Sequence, residues 1–177
     1  IEYLIRLLIS DYKVATLSRG YKRKTKGFIL ANNATNVDSI GDEPYQFYEK
    51  FPDVMVSVDT NRRNGIGKLL EYNPKPDVIL LDDAFQHRKV KAGFNILLTS
   101  YDQLYVQDMV LPTGNLREPK TGAKRADVIV ITKCPYSISE SNKQDIIEKL
   151  KPLNTETISL KSRVRHREVG EDGVLVD

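Results

Sequence analysis

VILLDDAFQHR, at residues 78–88, is the stretch from which the fold of this chain can be predicted. Its four branched apolar residues predict a short strand buried on both faces, as strands are in a parallel sheet. Two carboxylates, Asp82 and Asp83, follow where that strand leaves the sheet. Ligands of open α/β sheets bind outside the carboxyl ends of the strands, and acidic residues there can hold Mg²⁺. The competing interpretation is a solvated strand end or a helix N-cap.

Three polar residues directly after the carboxylates favour the functional interpretation. Gln86, His87 and Arg88 place an amide, a titratable ring and a fixed cation beside Asp82 and Asp83. The sequence therefore predicts a ligand site at the end of this strand.

Alternating apolar patterns predict the rest of the fold. Strands are expected over 13–18, 54–58, 94–99, 128–132 and 157–160, and helices over 1–8, 45–50, 65–72, 120–125 and 139–150. Residues 28–30 are expected to start a hairpin with 31–39 as its polar tip, and Pro44 to take the first position of a helix. The alternation predicts an α/β fold with a mostly parallel sheet between helices.

The composition of the chain limits its class. Its 177 residues are 40% hydrophobic and 29% charged, which is typical of a globular domain. The net charge of +3 is too small to imply nucleic acid by itself but suits anionic ligands. Cys134 is the sole cysteine, so an internal disulfide is excluded and a reducing compartment is favoured. No apolar run approaches the roughly 18 residues of a membrane span.

Two further stretches carry candidate binding or catalytic residues. Arg19 and Tyr21 follow a predicted strand around a glycine, where an arginine can clamp a phosphate; an ordinary surface loop is the alternative. The run Lys22–Lys26 is interpreted as solvated. At a predicted helix start, one of Asp42 and Glu43 is expected to cap the helix, which leaves the other to act as a general base.

Several other residues remain open from the sequence alone. Arg117 lies in a proline- and glycine-bounded loop at 111–119, where a salt bridge with Glu118 is the structural alternative. The pair at 62–63 supplies two cations after a strand. Thr132-Lys133 weakly resembles the position that contacts the nucleotide base in several nucleotide-binding α/β proteins. Cys134 is interpreted as structural. His166 is given no role. The chain contains no Gly-x-x-x-x-Gly-Lys-Ser/Thr phosphate loop.

Four stretches together resemble one family. They are 17–21 (LSRGY), 41–44 (GDEP), 82–88 (DDAFQHR) and 111–119 (LPTGNLREP). Their order and spacing are similar to those of tetraacyldisaccharide 4'-kinase, the lipid A 4'-kinase of Gram-negative bacteria. The resemblance covers about residues 1–135 and fades after about Leu150. It implies a P-loop NTPase-like fold and transfer of the γ-phosphoryl of ATP to the 4'-hydroxyl of an acylated glucosamine disaccharide 1-phosphate.

The resemblance also implies roles for individual residues. Asp82 and Asp83 become the carboxylates near Mg²⁺. Asp42 becomes the base that accepts the hydroxyl proton, with Glu43 beside it. The nucleotide and substrate cleft would be lined by Arg19, Tyr21, Gln86 and Arg117, together with one arginine of the pair at 62–63.

The resemblance sets further expectations about the whole protein. It implies an enzyme bound peripherally at the cytoplasmic face of the inner membrane. Residues 1–177 are expected to form one kinase-core domain that is a fragment, because the chain opens within a helical pattern that lacks an N-cap. The family's phosphate loop would precede Ile1, and its C-terminal half, with a histidine that partners the catalytic Asp, would follow. We expect the chain alone to be inactive.

Two alternatives to the kinase come from other functional classes. The first is a non-catalytic nucleotide- or anion-binding α/β module whose carboxylates are structural. The second is a nucleic-acid binder that uses residues 19–26, which is disfavoured because Tyr21 is the sole aromatic residue in that run. No nucleic-acid partner is therefore expected.

Overall fold

The chain folds into two compact α/β units. The computed structural model describes residues 1–135, 137–150 and 160–162. The units comprise Ile1–Lys91 and Ala92–Asp177. Each unit combines parallel strands with helices, so the predicted α/β class with a mostly parallel sheet is confirmed.

The first unit has a four-stranded sheet with β1 at an inner position. Its strands are β1 (Val14–Ser18), β2 (Ile29–Leu30), β3 (Met55–Val58) and β4 (Val78–Leu81), in the order β2-β3-β1-β4. Its helices are α1 (Glu2–Leu8), α2 (Val37–Ile40), α3 (Asp42–Lys50) and α4 (Arg62–Leu70). Strand β1 pairs in parallel with β3 and β4, with Ser18 opposite Val58 and Leu17 opposite Leu81. The loops after these three strands therefore begin at one edge of the sheet.

Strand β1 is buried along its whole length because helices cover both of its faces. All five of its residues are buried. Val14 belongs to an apolar cluster with Ile5 of α1 and Phe47 of α3. Ala15 and Leu17 cluster instead with Leu69 of α4. The alternation of side chains along the strand thus joins two layers of helices to one sheet.

Two glycines in α4 have opposite roles, and we predict opposite effects on stability. A Cβ on Gly65 would lie 2.8 Å from Cδ1 of Leu17, so Gly65→Ala should destabilise the protein by about 1–3 kcal/mol through overpacking. A Cβ on Gly67 would meet nothing within 4 Å, so Gly67→Ala should stabilise it by about 0.5–1 kcal/mol. Urea unfolding of both variants measures the difference. Equal effects of the two substitutions would contradict this packing of α4 against β1.

The structure corrects three predictions about the first unit. Strand β4 is half-buried rather than buried on both faces, because it is the last strand in the sheet order of its unit. The predicted hairpin at 28–39 is wrong: β2 pairs with β3, and the expected tip contains α2, which Asn36 caps. Helix α3 begins at Asp42, so Pro44 is its third residue rather than its first. Proline is tolerated there because the N–H groups of the first turn lack intrahelical partners.

Among its described residues, the second unit has a three-stranded parallel sheet. Strands β5 (Ile96–Ser100), β6 (Val128–Thr132) and β7 (Leu160–Ser162) follow in that order. Two 3-10 helices cover Tyr105–Gln107 and Lys120–Arg125, and α5 covers Glu140–Leu150. The predicted strands at 94–99 and 128–132 and the helices at 120–125 and 139–150 are confirmed. Of the strand predicted at 157–160, residues 157–159 lie outside the described residues.

In the part of the chain that the structure describes, no helix has the length and apolar character that crossing a bilayer demands.

Candidate active site

Two glycines bring the loop after β1 against the start of α3. Gly20 and Gly41 both have positive φ, at +68° and +92°, a conformation that favours glycine. A Cβ on Gly41 would lie 2.9 Å from the carbonyl oxygen of Tyr21. This close approach joins the stretches 18–21 and 41–44, and it carries Asp42 and Glu43 to the carboxyl end of β1.

The two aspartates after β4 are held in turns rather than at a helix start. The Asp82 N–H donates to the carbonyl of Leu17 at 3.2 Å, and the Ser18 hydroxyl donates to Asp82 Oδ2 at 3.4 Å. Asp83 adopts a left-handed conformation with φ +43°. Because residues 82–90 form turns and bends and contain no helix, the N-cap interpretation of this pair is wrong.

Glu43 faces Asp82 across this edge of the sheet. The pKa of Glu43 is raised, first by partial desolvation of its carboxyl, then by the negative charge of Asp82 and a hydrogen bond with its side chain, and further by Asp83. The predicted capping role is also wrong, because Gly41 is the N-cap residue of α3 and no side-chain cap hydrogen bond forms there. Carboxylates from α3 and from the end of β4 therefore meet.

Crowding of these carboxylates predicts a pH-dependent effect of Glu43→Gln. A raised pKa means that the stability Glu43 contributes is present below its ordinary pKa and is lost as the pH rises through the raised value. At pH 8 the amide should therefore raise the free energy of unfolding, by less than about 1 kcal/mol because solvent screens the carboxyl. Near pH 4 the difference should shrink.

Thermal unfolding without ligand at both pH values measures the effect of Glu43→Gln. Glu148→Gln, at an exposed position of α5, is the matched control and should change the melting temperature little at either pH. A loss of stability in Glu43→Gln at pH 8 would contradict the like-charge contact with Asp82.

The structure distinguishes the two neighbouring arginines at the start of α4. Arg62 is 2% exposed, and its guanidinium donates to the carbonyl oxygens of Asp59 (2.9 Å) and Asp82 (2.6 Å). Burial lowers the pKa of Arg62, while the charges of Asp82 and Asp83 act in the opposite direction. Arg63 is exposed. Arg62 is therefore the arginine of the pair that lies at the site, and it is not merely solvated.

Sequence reasoning missed Asp59 and misjudged Arg23. Asp59 directly follows β3, is 1% exposed, and accepts hydrogen bonds from the Asn61 N–H (2.8 Å) and from Asn64 Nδ2 (2.7 Å). The strand-end pattern that identified Asp82 would also have found it. Arg23 belongs to the run interpreted as solvated, yet it is half-buried over Gly20, and burial lowers its pKa.

Four other predicted residues of the first unit are exposed around the same strand ends. Asp42 lies in the first turn of α3, Arg19 and Tyr21 in the loop after β1, and Gln86 in the turns after β4. Arg19 is close enough to Arg62 for its charge to lower the pKa of that residue. Arg19 and Tyr21 follow β1 and Gln86 follows β4, so these exposed residues belong to loops that begin at the same edge of the sheet.

Arg117 lies in the second unit, in a loop organised by Asp108. The Asp108 carboxylate accepts from the N–H groups of Met109 (2.7 Å) and Asn115 (3.2 Å), which lowers its pKa. Glu118 pairs with Arg125 at 2.6 Å. Glu118 thereby fastens the loop to the following 3-10 helix, and the Arg117 side chain is exposed.

The structure adds little evidence for a functional role of the remaining candidates in the second unit. Lys133 has a left-handed φ of +56° at the end of β6, and the Cys134 thiol lies 3.5 Å from the carbonyl oxygen of Ile131. His166 lies outside the described residues. Within the described ranges, no group of three or more His, Cys, Asp or Glu side chains is arranged to hold a metal ion.

Comparison with known proteins decides the family. Residues 1–173 match the family described as Tetraacyldisaccharide-1-P 4'-kinase, LpxK. The chain belongs to this family. The resemblance drawn from the four stretches is thereby confirmed, and the family match extends beyond residue 135, the limit to which the resemblance was expected to reach.

Curated relatives and a solved structure also support membership of the LpxK family. The chain is 65% identical over 151 residues to a Tetraacyldisaccharide 4'-kinase of Flavobacterium johnsoniae, covering 85% of this chain and 44% of that protein. It is 60% identical over 139 residues to the Parabacteroides distasonis protein of the same name, covering 77% and 38%. The chain thus spans less than half the length of these curated relatives.

The solved structure comes from a more distant LpxK. The crystal structure is of the "apo" form of LpxK from Aquifex aeolicus in complex with ATP. It is 28% identical with a TM-score of 0.67, and the match covers 96% of this chain and 69% of that one. The fold is therefore that of an LpxK kinase.

Proposed function

We propose that the gene product carrying this chain transfers the γ-phosphoryl of ATP to the 4'-hydroxyl of an acylated glucosamine disaccharide 1-phosphate, a step of lipid A biosynthesis. Support comes from membership of the LpxK family and from the ATP complex of the Aquifex aeolicus protein. The observation that carries the proposal is the meeting of Glu43, Asp82 and Arg62 at the carboxyl ends of β1, β3 and β4.

The carboxylates at this edge fit a magnesium ion. Mg²⁺ prefers oxygen ligands and is commonly bound through one or two carboxylates, with water and phosphate oxygens completing its shell. Asp82 and Asp83 offer such oxygens, and Glu43 adds a third carboxyl, whose pKa is raised first by desolvation and then by the charge of Asp82. A bound Mg²⁺ would neutralise phosphate charge as it develops during transfer. We assign Asp82 and Asp83 to hold it.

The first turn of α3 supplies the proposed base. We assign to Asp42 the acceptance of the proton from the attacking hydroxyl, because its carboxylate is exposed at the site edge and is not used as a helix cap. Glu43 is the second catalytic carboxylate, next to Asp42 in the chain and close to Asp82. Its raised pKa brings it closer to the range useful in proton transfer.

We assign the binding of nucleotide and substrate to cationic and polar side chains. Arg19 is placed to neutralise phosphate oxygens, which guanidinium groups bind in two-pronged fashion. Tyr21, 80% exposed, offers a flat ring and a hydroxyl, and Gln86 offers an amide. Arg117 is assigned a similar part from the loop that Asp108 organises in the second unit. Phosphoryl transfer depends mainly on such positioning and charge neutralisation.

We further propose that residues 1–177 belong to one kinase core and that the enzyme works at the cytoplasmic face of the inner membrane. The family match across both units supports the first statement. The second follows from the proposed substrate, because an acylated disaccharide resides in a bilayer and ATP is supplied from the cytoplasm.

A direct assay tests the proposed activity. The gene product is incubated with Mg²⁺, radiolabelled ATP and a tetraacylated glucosamine disaccharide 1-phosphate, and the position of the new phosphate is determined by mass spectrometry. Transfer to the 4'-hydroxyl is expected. Magnesium-dependent ATP binding without transfer would instead favour the non-catalytic module, and absence of both would refute the proposal.

A further inference from the structure

Arg62 connects the ends of two strands that do not neighbour each other. In the sheet order, β1 separates β3 from β4. The Arg62 guanidinium spans this gap, because Nη1 donates to the carbonyl of Asp59 after β3 and Nη2 donates to the carbonyl of Asp82 after β4. The fork of an arginine suits two acceptors at once, which a lysine ammonium does not reproduce.

The arginine is itself held rigidly. Asn61 caps α4 through its side chain, which accepts from the Asn64 N–H, and Arg62 is the first residue of the helix. Gly65 packs one turn later against Leu17 and Asp59. A side chain that starts from such a fixed backbone and is 2% exposed has little conformational freedom. Its hydrogen bonds therefore hold the main-chain carbonyls of Asp59 and Asp82 in place, in addition to supplying a positive charge.

Burying the Arg62 guanidinium costs free energy, and packing alone does not offset that cost. The Nε atom of Arg62 is buried and finds no hydrogen-bond partner among the described residues. An unsatisfied buried donor destabilises the folded state. The compensation lies in the two short contacts to main-chain carbonyls and in the nearby charges of Asp82, Asp83 and Asp59.

We propose that Arg62 is a positioning residue, which fixes the peptide at Asp82 and thereby holds the Asp82 and Asp83 carboxylates where a divalent cation and its phosphates bind. The inference rests on the proposed function for the identity of that ligand. The role differs from direct phosphate binding, because the guanidinium is buried and its observed hydrogen bonds go to the protein's own main chain.

Hydrogen exchange tests the ligand-free part of the proposal. In the gene product carrying Arg62→Gln, peptides that cover residues 82–91 should exchange faster than in the wild type, because the carbonyl of Asp82 loses its donor. Arg63→Gln, at the exposed neighbouring position, is the matched control and should leave this segment unchanged. Unchanged exchange in a folded Arg62→Gln protein would overturn the proposal.

Magnesium titration tests the functional part. Binding of a fluorescent ATP analogue is followed as Mg²⁺ is added, and Arg62→Gln should raise the half-saturating Mg²⁺ concentration by about 10- to 100-fold. Arg62→Lys should be impaired similarly despite its charge, and Arg63→Gln should stay within about twofold. Added guanidinium ion should restore part of the loss in Arg62→Ala, whereas equal ionic strength from NaCl should not.

The outcomes separate this inference from the proposed function. If the wild type shows no magnesium-dependent nucleotide binding, the proposed function fails, while the exchange result still tests Arg62. If the wild type binds and folded Arg62→Lys or Arg62→Gln matches it, only the positioning role fails. If every Arg62 variant unfolds, the residue is a stability element and the positioning role is wrong.

Discussion

Asp82→Asn is expected to lower the kcat of phosphoryl transfer by about three orders of magnitude. Metal stabilisation of transition-state charge contributes several kcal/mol, and each 1.36 kcal/mol corresponds to a tenfold change in rate. Asparagine keeps the size of the side chain and can still accept from the Ser18 hydroxyl, but it removes the charge. The main-chain contacts of Asp82 with Leu17 and Arg62 are untouched, so the fold should persist.

The measurement combines steady-state kinetics with a magnesium titration of nucleotide binding. Asp53→Asn, at an exposed position after α3, is the control and should leave both values near those of the wild type. A parallel Asp83→Asn variant ranks the two carboxylates. Retention of kcat within about tenfold in a folded Asp82→Asn protein would refute the metal role of this residue. The alternative, in which the carboxylates of Asp82 and Asp83 are structural, would then be favoured.

The strand ends of the first unit could be predicted because their signal is local. An apolar run followed at once by Asp82 locates β4, and the mainly apolar segment that ends at Ser18 locates β1, whatever the partner strands are. The pairing of β2 with β3 could not be predicted in this way. It joins residues 29–30 to residues 57–58, and a local pattern contains no information about such a distant partner.

The contacts that build the site depend on side-chain direction, which a motif does not specify. Positions 62 and 63 carry the same residue type, so the sequence does not distinguish them. Consecutive helical residues point about 100° apart, and as a result Arg62 is buried and Arg63 is exposed. Asn61 as N-cap fixes that phase. The sequence did not indicate Asn61 as the N-cap, because the two glycines of α4 lower the helix propensity expected near the start of that helix.

The same limit applies to carboxylates and to charge runs. Proximity of Glu43 to Asp82 depends on the positive φ of Gly20 and Gly41, and the sequence names these glycines without giving their conformation. Arg23 is turned inward from a run in which Lys24 forms an exposed pair with Asp38. Composition describes the average of such a run and not its individual members.

Asp42→Asn should lower kcat by about 10²- to 10⁴-fold and leave the KM for ATP nearly unchanged. That range is typical for loss of a positioned general base. The KM should hold because Asp42 is assigned to the hydroxyl of the acceptor and not to the nucleotide. Asp42 is exposed and does not cap α3, so the variant should also keep the stability of the wild type.

Glu43→Gln and Asp102→Asn complete the test of the base. Asp102 is exposed in the second unit, and its variant should retain wild-type kcat. If Asp42→Asn keeps kcat within about tenfold while Glu43→Gln loses it, the base is Glu43, whose raised pKa already departs from that of an ordinary carboxyl. If Asp42 is the base, the acid limb of the kcat profile should disappear in Asp42→Asn, because that limb reports the ionisation of the base in the complex. Survival of the limb with an unchanged midpoint would assign it to another group and remove Asp42 from proton transfer.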